Sequence, residues 1–176
     1  QVQYSFDRVH AMEESVFDQL DLRLLAELQR DASRSNQALA ESLGISPATS
    51  LRRVRRLVEL GVIERQVALL QPDRLAVVLG HGLTALVEVS LDRQGQEQLD
   101  AFEARAVADA AVQQCWRVSP GPDFVLVVAV CDMPGYQALA QRLFTQDANV
   151  RNVRAFFSLK RAKFEPAQPL PDRWRG

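Results

Sequence analysis

Residues 43–63, with the sequence LGISPATSLRRVRRLVELGVI, determine the fold that we expect for the first part of this chain. Gly44 favours the left-handed conformation that ends a helix. Ser46 can cap the next helix with its hydroxyl group, and Pro47 suits the first helical position, where a missing N–H costs nothing. The stretch therefore predicts the end of one helix, a tight turn and a second helix that ends at Gly61.

The helix after the turn is predicted to have two different sides. At about 100° per residue, its apolar residues fall on one side and its polar residues on the other. The predicted core side consists of Leu51, Val54, Leu57 and Val58. The predicted solvent side carries Thr49, Arg52, Arg53 and Arg56. A helix of this kind packs on a protein core and presents cations to a partner.

Two more helices are predicted before this one. In residues 17–31 the apolar side chains recur at helical spacing, and Ser35 is the expected cap of a helix that runs to Leu43. Three short helices with a tight turn between the second and third form a helix-turn-helix, whose third helix enters the major groove of DNA. We expect these DNA contacts: Ser46, Thr49, Ser50, Arg52, Arg53 and Arg56.

The composition is that of a globular protein with a local basic patch. The chain has 176 residues, of which 47% are hydrophobic and 24% charged, and its formal net charge is −1. Affinity for nucleic acid must therefore come from the positive charges of the arginine-rich helix rather than from the net charge of the whole protein. Such a helix face is commonly only solvated surface. Here the cap, the turn and the two preceding helices favour DNA binding.

The sequence offers no set of residues for catalysis or metal binding. Cys115 and Cys131 lie in apolar, strand-like runs, which is typical of buried free thiols. With only two His residues, no nucleophile, base and orienting group occur together. We therefore expect neither an enzyme, nor a cofactor, nor a metal site. No stretch is apolar enough to span a membrane, and no signal peptide is evident, so we expect a cytoplasmic protein without membrane contact.

The second half of the chain predicts the order strand, helix, strand, strand, helix, strand. The predicted strands are residues 83–91, 112–118, 124–130 and 150–164, and the predicted helices are residues 95–107 and 132–144. This βαββαβ order is typical of the ferredoxin-like sandwich, in which two helices cover one face of a four-stranded antiparallel sheet. The predicted fold class is therefore α+β, with a winged helix-turn-helix followed by a ferredoxin-like sandwich.

Turn signals suggest the domain boundaries. Residues 62–70 form a β-like run suited to a wing or a connecting strand, and turn residues follow from Pro72 to Gly82. We expect an N-terminal extension over 1–11, a DNA-binding domain over 12–66, a hinge over 67–82, the sandwich over 83–165 and a Pro-rich tail over 166–176. The extension either belongs to the protein or was added for expression ahead of a natural start at Met12.

The strand at residues 124–130 predicts self-association. Its sequence, FVLVVAV, is apolar on both sides, although the two helices of the sandwich cover only one face of the sheet. Exposure of the second face would leave an apolar patch of a size that soluble monomers avoid. We therefore expect a homodimer made sheet to sheet, whose two-fold symmetry would suit paired DNA half-sites.

The order and spacing of these motifs resemble those of the Lrp/AsnC family, the leucine-responsive or feast/famine transcription regulators of bacteria and archaea. The resemblance covers residues 17–164, most of the chain. Each motif alone is weak, but together they are specific. They are Asp18 with Asp21, residues 43–47, residues 53–57, residues 61–63, Gln71 with Pro72, and the hairpin before Asp123 and Phe124.

The resemblance implies a sandwich domain that senses an amino acid, and dimers that associate into tetramers, octamers or larger forms. It also implies an effector cleft between sensing domains near the hairpin, through which an effector shifts the populations of these assemblies. Carried over by position, the cleft contains Ser119, Gly121 and Asp123, with Met133, Phe156 and Phe157 as walls. Pro120 stands where the family usually has Gly. This departure leaves an effector-independent architectural DNA-binding protein as the alternative.

Overall fold

The computed structural model describes residues 17–79 and 82–170. The predicted extension over 1–11 and the last six residues of the predicted tail lie outside this part of the chain. The described residues form two compact units. The first contains the residues up to Ala68 together with those from Phe164 onward, and the second contains Leu69–Lys163.

The first unit contains the three predicted helices, α1 (Gln19–Arg30), α2 (Asn36–Leu43) and α3 (Pro47–Glu59). Each begins with a capping side chain, supplied by Asp18, Ser35 and Ser46, that accepts a hydrogen bond from a backbone N–H of the first turn. Gly44 ends α2 in the left-handed conformation, with φ of 66°. A small apolar core holds the helices together, formed by Leu24, Leu39 and Leu43 with Leu20, Leu28, Ile45 and Val54.

The side of α3 that faces this core differs from the predicted one. Ser50 and Leu57 are fully buried, whereas Leu51 and Val58 are 41% and 51% exposed. The prediction that Leu51 and Val58 belong to the core is therefore wrong, and so is the prediction that Ser50 contacts DNA. In this orientation Arg53, expected on the solvent side, turns inward and pairs with a buried carboxylate of α1.

The second unit is the predicted βαββαβ sandwich, preceded by one extra helix, α4 (Pro72–Leu79). The sheet is antiparallel in the order β2-β3-β1-β4. Its strands are β1 (Leu83–Leu91), β2 (Val112–Arg117), β3 (Phe124–Val130) and β4 (Val150–Phe157). The two covering helices are α5 (Gln96–Ala108) and α6 (Met133–Ala140), and α6 continues as a π-helical turn over Gln141–Thr145.

One face of this sheet forms the core of the second unit. Alternate residues of β1 and β3 point into it, as the pattern of β1 predicts, and all are fully buried: Ala85, Val87, Val89, Leu91, Phe124, Leu126 and Val128. The two helices contribute Phe102, Ala106, Leu139, Leu143 and Phe144. The second face carries large exposed apolar side chains, among them Leu86, Trp116 and Phe156. Strand β3 is apolar on both sides, but the described residues of one chain leave the second face of its sheet exposed.

Three predicted segments differ in the structure. Residues 62–70 form no strand, because a strand needs a hydrogen-bonded neighbour and none of the described strands pairs with this run. The expected hinge over 67–82 contains α4, whose first residue, Pro72, suits the start of a helix. Strand β4 ends at Phe157 rather than at residue 164. The Ser158 N–H still donates to the Thr84 carbonyl of β1 at 2.8 Å. Because β1 begins only one residue before Thr84 and runs antiparallel to β4, the residues after Ser158 extend past the start of β1 and cannot pair with it.

After β4 the chain returns to the first unit. The Gln168 N–H donates to Oε1 of Gln29 at 2.6 Å, and Nε2 of Gln29 donates to the Gln168 carbonyl at 3.2 Å. The Gln29 side chain, near the end of α1, thus holds one backbone residue of the tail by two hydrogen bonds. Residues 158–170 form neither a helix nor a strand.

Candidate nucleic-acid interface

The amino end of α3 is rigid and polar. Oγ of Ser46 accepts the Thr49 N–H at 3.1 Å and lies 2.9 Å from the Thr49 hydroxyl oxygen. Nδ2 of Asn36 in α2 donates to the Pro47 carbonyl at 2.8 Å, which ties the first turn of α3 to the preceding helix. Ser46 is exposed and Thr49 half-buried. The predicted contacts Ser46 and Thr49 therefore lie together on an accessible, well-supported helix end.

Arg53 and Arg56 are joined to α1 through Asp21, whose exposed fraction is only 1%. Nη1 of Arg53 lies 2.8 Å from Oδ1 of Asp21 and 2.7 Å from Oδ2 of Asp18. Nη1 of Arg56 lies 3.1 Å from Oδ2 of Asp21. These four residues are called the Asp21 cluster below. Hydrogen bonds to Asp21 and Asp18 raise the pKa of Arg53.

The carboxylates of the Asp21 cluster also begin α1. Oδ1 of Asp18 accepts the Asp21 N–H at 2.9 Å, and Oδ2 of Asp21 accepts the Asp18 N–H at 3.3 Å, which is a reciprocal capping box. Burial acts against the charged form of Asp18, but the hydrogen bonds from the Asp21 N–H and from Arg53 outweigh it and lower the pKa of Asp18. The same two side chains therefore start one helix and orient another.

The arginines that face solvent on α3 are Arg52, Arg55 and Arg56. Within the described part of the chain, neither Arg52 nor Arg55 pairs with a carboxylate. Arg55 was not among the predicted DNA contacts, because the prediction placed the wrong side of the helix against the core. The signal that could have revealed it is the pair Asp18 and Asp21, which has the right spacing to hold an arginine of α3 inward.

The six residues predicted to bind an effector form two separate groups. Ser119, Gly121 and Asp123 lie in the hairpin between β2 and β3, where the Ser119–Pro120 peptide bond is cis and Gly121 has φ of 126°. The Asp123 carboxylate accepts the Leu91 N–H at 2.7 Å. Ser119 and Gly121 are exposed. In this chain the Asp123 side chain is already engaged in holding the hairpin to the end of β1.

The second group consists of Met133, Phe156 and Phe157, which are all exposed. Phe157 packs edge-on against Tyr136, with 5.0 Å between the ring centroids. In the sheet Phe124 pairs with Val89, whereas Phe157 pairs with Ala85. Four residues of β1 span about 13 Å. Within one chain, the hairpin group and the aromatic group therefore lie toward opposite ends of the sheet and do not meet.

A three-helix DNA-binding unit joined to a βαββαβ sandwich defines a two-domain DNA-binding transcription regulator. Residues 17–64 match a family model described as winged helix-turn-helix DNA-binding, and residues 84–168 match one described as the Lrp/AsnC ligand binding domain. The chain belongs to the Lrp/AsnC family of transcription regulators.

Curated relatives support the same assignment. The chain is 37% identical over 146 residues to the leucine-responsive regulatory protein of Rhizobium meliloti, covering 83% of this chain and 91% of that one. It is 34% identical over 153 residues to the Bkd operon transcriptional regulator of Pseudomonas aeruginosa, covering 87% of this chain and 97% of the relative.

Solved structures of similar proteins show the same fold. An AsnC family transcriptional regulator from Agrobacterium tumefaciens aligns with a TM-score of 0.76 and 29% identity, covering 87% of this chain and 97% of the other. The transcriptional regulator NMB0573 from Neisseria meningitidis, in complex with L-Met, aligns with a TM-score of 0.75 and 27% identity, covering 88% and 97%.

Two other kinds of feature do not occur among residues 17–79 and 82–170. No helix there is long and apolar enough to cross a membrane. No group of three or more His, Cys, Asp and Glu residues in that part of the chain is arranged to hold a metal ion.

Proposed function

We propose that the protein recognises double-stranded DNA through the solvent side of α3. The observation that carries this proposal is a firmly capped helix that exposes Arg52 and Arg55, two cations that pair with no carboxylate of residues 17–79 and 82–170. In this proposal Arg52, Arg55 and Arg56 contact phosphates or guanine edges, which are the usual acceptors of arginine in DNA. The hydroxyls of Ser46 and Thr49 contact bases or the sugar-phosphate backbone.

Arg53 takes a different part in this proposal. Its place in the arginine-rich pattern of α3 predicted a DNA contact, but its guanidinium group is engaged by both Asp18 and Asp21. The two carboxylates occupy Nη1 and offset the positive charge of Arg53, which weakens its attraction to phosphate. We therefore assign Arg53 to holding α3 in place, with at most a secondary contact to DNA.

The protein is further proposed to act as a homodimer that joins into tetramers or octamers. The uncovered face of the sheet, with Leu86, Trp116 and Phe156 exposed, favours a second copy as its cover. A two-fold dimer presents two copies of α3 to two DNA half-sites. A cytoplasmic location goes with this activity, because a regulator must reach the chromosome.

The effector is proposed to be an amino acid or a related small metabolite. Support comes from the match to a ligand-binding domain and from the relative that forms a complex with L-Met. Since the hairpin group and the aromatic group are apart in one chain, a site that contains both needs the hairpin of one copy and Phe156 or Phe157 of another. Effector binding would then favour one assembly over another and so change which DNA sites are held together.

Fluorescence anisotropy tests the DNA proposal. The probe is a labelled duplex from upstream of the protein's own gene, titrated with the full chain at several salt concentrations. Wild type is expected to bind tightly, and loss of one phosphate contact in Arg52→Ala should reduce the slope of log affinity against log salt by about 0.9. The matched control is Arg93→Ala in the second unit. If Arg52→Ala and Arg93→Ala changed the affinity and its salt slope equally, α3 would not be the DNA-binding surface.

A thermal-shift screen of the twenty amino acids tests the effector proposal. An amino acid that binds only the folded protein, present at a concentration of about 100 times its Kd, should stabilise the folded state by roughly 2.7 kcal/mol. Analytical ultracentrifugation with the same amino acid should show a changed assembly. If DNA binds but no amino acid raises the Tm, the effector-independent architectural alternative is favoured instead.

A further inference from the structure

The orientation of α3 is not the one that its apolar residues favour. A helix rotated to bury Leu51 and Val58 would remove two large apolar side chains from water. The observed orientation leaves these side chains 41% and 51% exposed and buries Ser50, whose hydroxyl has no hydrogen-bond partner among the described residues. Burial of an unpaired hydroxyl is unfavourable. Some other interaction must therefore select the observed rotation.

The Asp21 cluster is the interaction that distinguishes the two rotations. A carboxylate with an exposed fraction of 1% is stable only when its charge is paired and its oxygens accept hydrogen bonds. Asp21 meets this condition through Arg53 on one oxygen and through Arg56 and the Asp18 N–H on the other. Because Arg53 and Arg56 lie three residues apart on α3, both can reach one carboxylate only from a single helix face.

We propose that Asp21 is a positioning residue for DNA recognition: it fixes the rotation of α3 and so decides which arginines face the DNA. With Asp21 in place, Arg52 and Arg55 point to solvent while Arg53 is held inward. Without it, the apolar pattern of α3 favours a rotation that buries Leu51 and Val58 and turns Arg53 outward. This inference rests on the proposed DNA interface, and it adds a residue of α1 that does not itself need to touch DNA.

An electrostatic role and a positioning role of Asp21 lead to opposite predictions for Asp21→Asn. This substitution removes a negative charge close to the DNA-binding helix, so a purely electrostatic role predicts tighter binding to every duplex. A positioning role predicts a weaker preference for the right sequence, since correctly oriented side chains read bases while phosphate attraction does not. A merely structural role predicts that specific and non-specific binding decline together.

The experiment compares two labelled duplexes by anisotropy, the upstream fragment and a scrambled duplex of equal length and composition. For Asp21→Asn we expect the ratio of specific to scrambled affinity to fall about tenfold, with scrambled binding unchanged or tighter. The matched control is Glu41→Gln in α2, which removes one negative charge from the same unit but lies outside the Asp21 cluster, since among the described residues its carboxylate accepts a hydrogen bond only from Gln37. It should change the ratio less than twofold. Circular dichroism establishes that each variant is folded.

Arg53→Lys provides a second variant in case Asp21→Asn does not fold. Lysine keeps the charge but has a shorter side chain, so its ammonium group does not reach the position from which Nη1 contacts both Asp18 and Asp21. We expect the specificity ratio to fall again while scrambled binding persists. An unchanged ratio in folded Asp21→Asn or in Arg53→Lys would overturn the proposal. Absence of wild-type binding to either duplex would instead overturn the proposed DNA function.

Discussion

The two units of this chain are held together by different means. In the sandwich, β1 and β3 bury every second side chain, and a continuous apolar core from sheet and helices determines the structure. In the DNA-binding unit the apolar core is small, and a buried carboxylate with two arginines decides how α3 lies on it. Apolar packing is non-directional, whereas an ion pair requires one geometry. The unit that must present side chains to a partner is the one that depends on the directional interaction.

The largest expected effect lies in the core of the sandwich. Phe124 is fully buried and its ring centroid lies 4.8 Å from that of Phe102. Phe124→Ala should therefore lower the free energy of unfolding of the second unit by about 4 kcal/mol. Native-state hydrogen exchange of the β3 amides measures this loss. The α1 amides serve as the internal control and should change little. A loss below about 1 kcal/mol would mean that this core is loosely packed.

Removal of the buried carboxylate should be the next largest effect. Asp21→Ala leaves Arg53 and Arg56 without their shared partner, and we expect a loss of about 3 kcal/mol in the first unit, read from the α1 amides. The control is Glu64→Ala, whose carboxylate and whose partner Arg65 are both exposed, with an expected loss below about 1 kcal/mol. If both variants lose the same amount, the contrast drawn between the two units does not hold.

A smaller effect concerns acid stability of the second unit. Hydrogen bonds from Arg142 to Asp109, at 2.7 and 3.1 Å, lower the pKa of that carboxyl in the folded state. The stabilisation is therefore fully present above the unfolded pKa of about 3.9 and is lost as the pH falls through the folded value.

Arg142→Gln tests this acid effect. Half-exposure of Arg142 limits the contribution of the pair, so the substitution should cost at most about 1 kcal/mol at pH 7. Below the folded pKa of Asp109, wild type and variant should be equally stable. Urea unfolding at a series of pH values, followed by circular dichroism, measures the difference. If wild type and variant differ as much in free energy of unfolding at low pH as at pH 7, the effect comes from packing of the aliphatic part of Arg142 and not from its ion pair.

The smallest expected effect is at Ser50. Because its buried hydroxyl has no partner in the described part of the chain, Ser50→Ala should leave the first unit unchanged or more stable by about 0.5 kcal/mol. The control is Ser35→Ala, which removes the N-cap of α2 and should cost about 1 kcal/mol. DNA affinity should not change in Ser50→Ala, since the side chain is fully buried. Weaker DNA binding in a stable Ser50→Ala protein would contradict the observed orientation of α3.

Local patterns predicted most of the fold, because they depend on neighbours in sequence. The caps at Ser35 and Ser46, the left-handed Gly44 and the alternation in β1 are all properties of short stretches, and the structure contains each of them. The βαββαβ order followed from the same kind of evidence.

The features that were missed depend on distant residues. The rotation of α3 is determined by Asp21, more than thirty positions away from Arg53 in the sequence. The end of β4 is determined by where β1 begins, and the β-like run over 62–70 has no neighbour among the described strands. The two groups of predicted effector residues could be separated only once the register of the sheet was known.

The return of the chain to the first unit makes the sandwich an insertion within the DNA-binding unit. Both ends of the sandwich, at residues 68–69 and 163–164, continue into the same unit, and Gln29 holds the returning segment at Gln168. A graft of this sensing domain onto another regulator therefore needs two junctions rather than one. A fluorescent label attached directly after residue 170 would report on the DNA-binding unit, although that position follows the sandwich in the sequence.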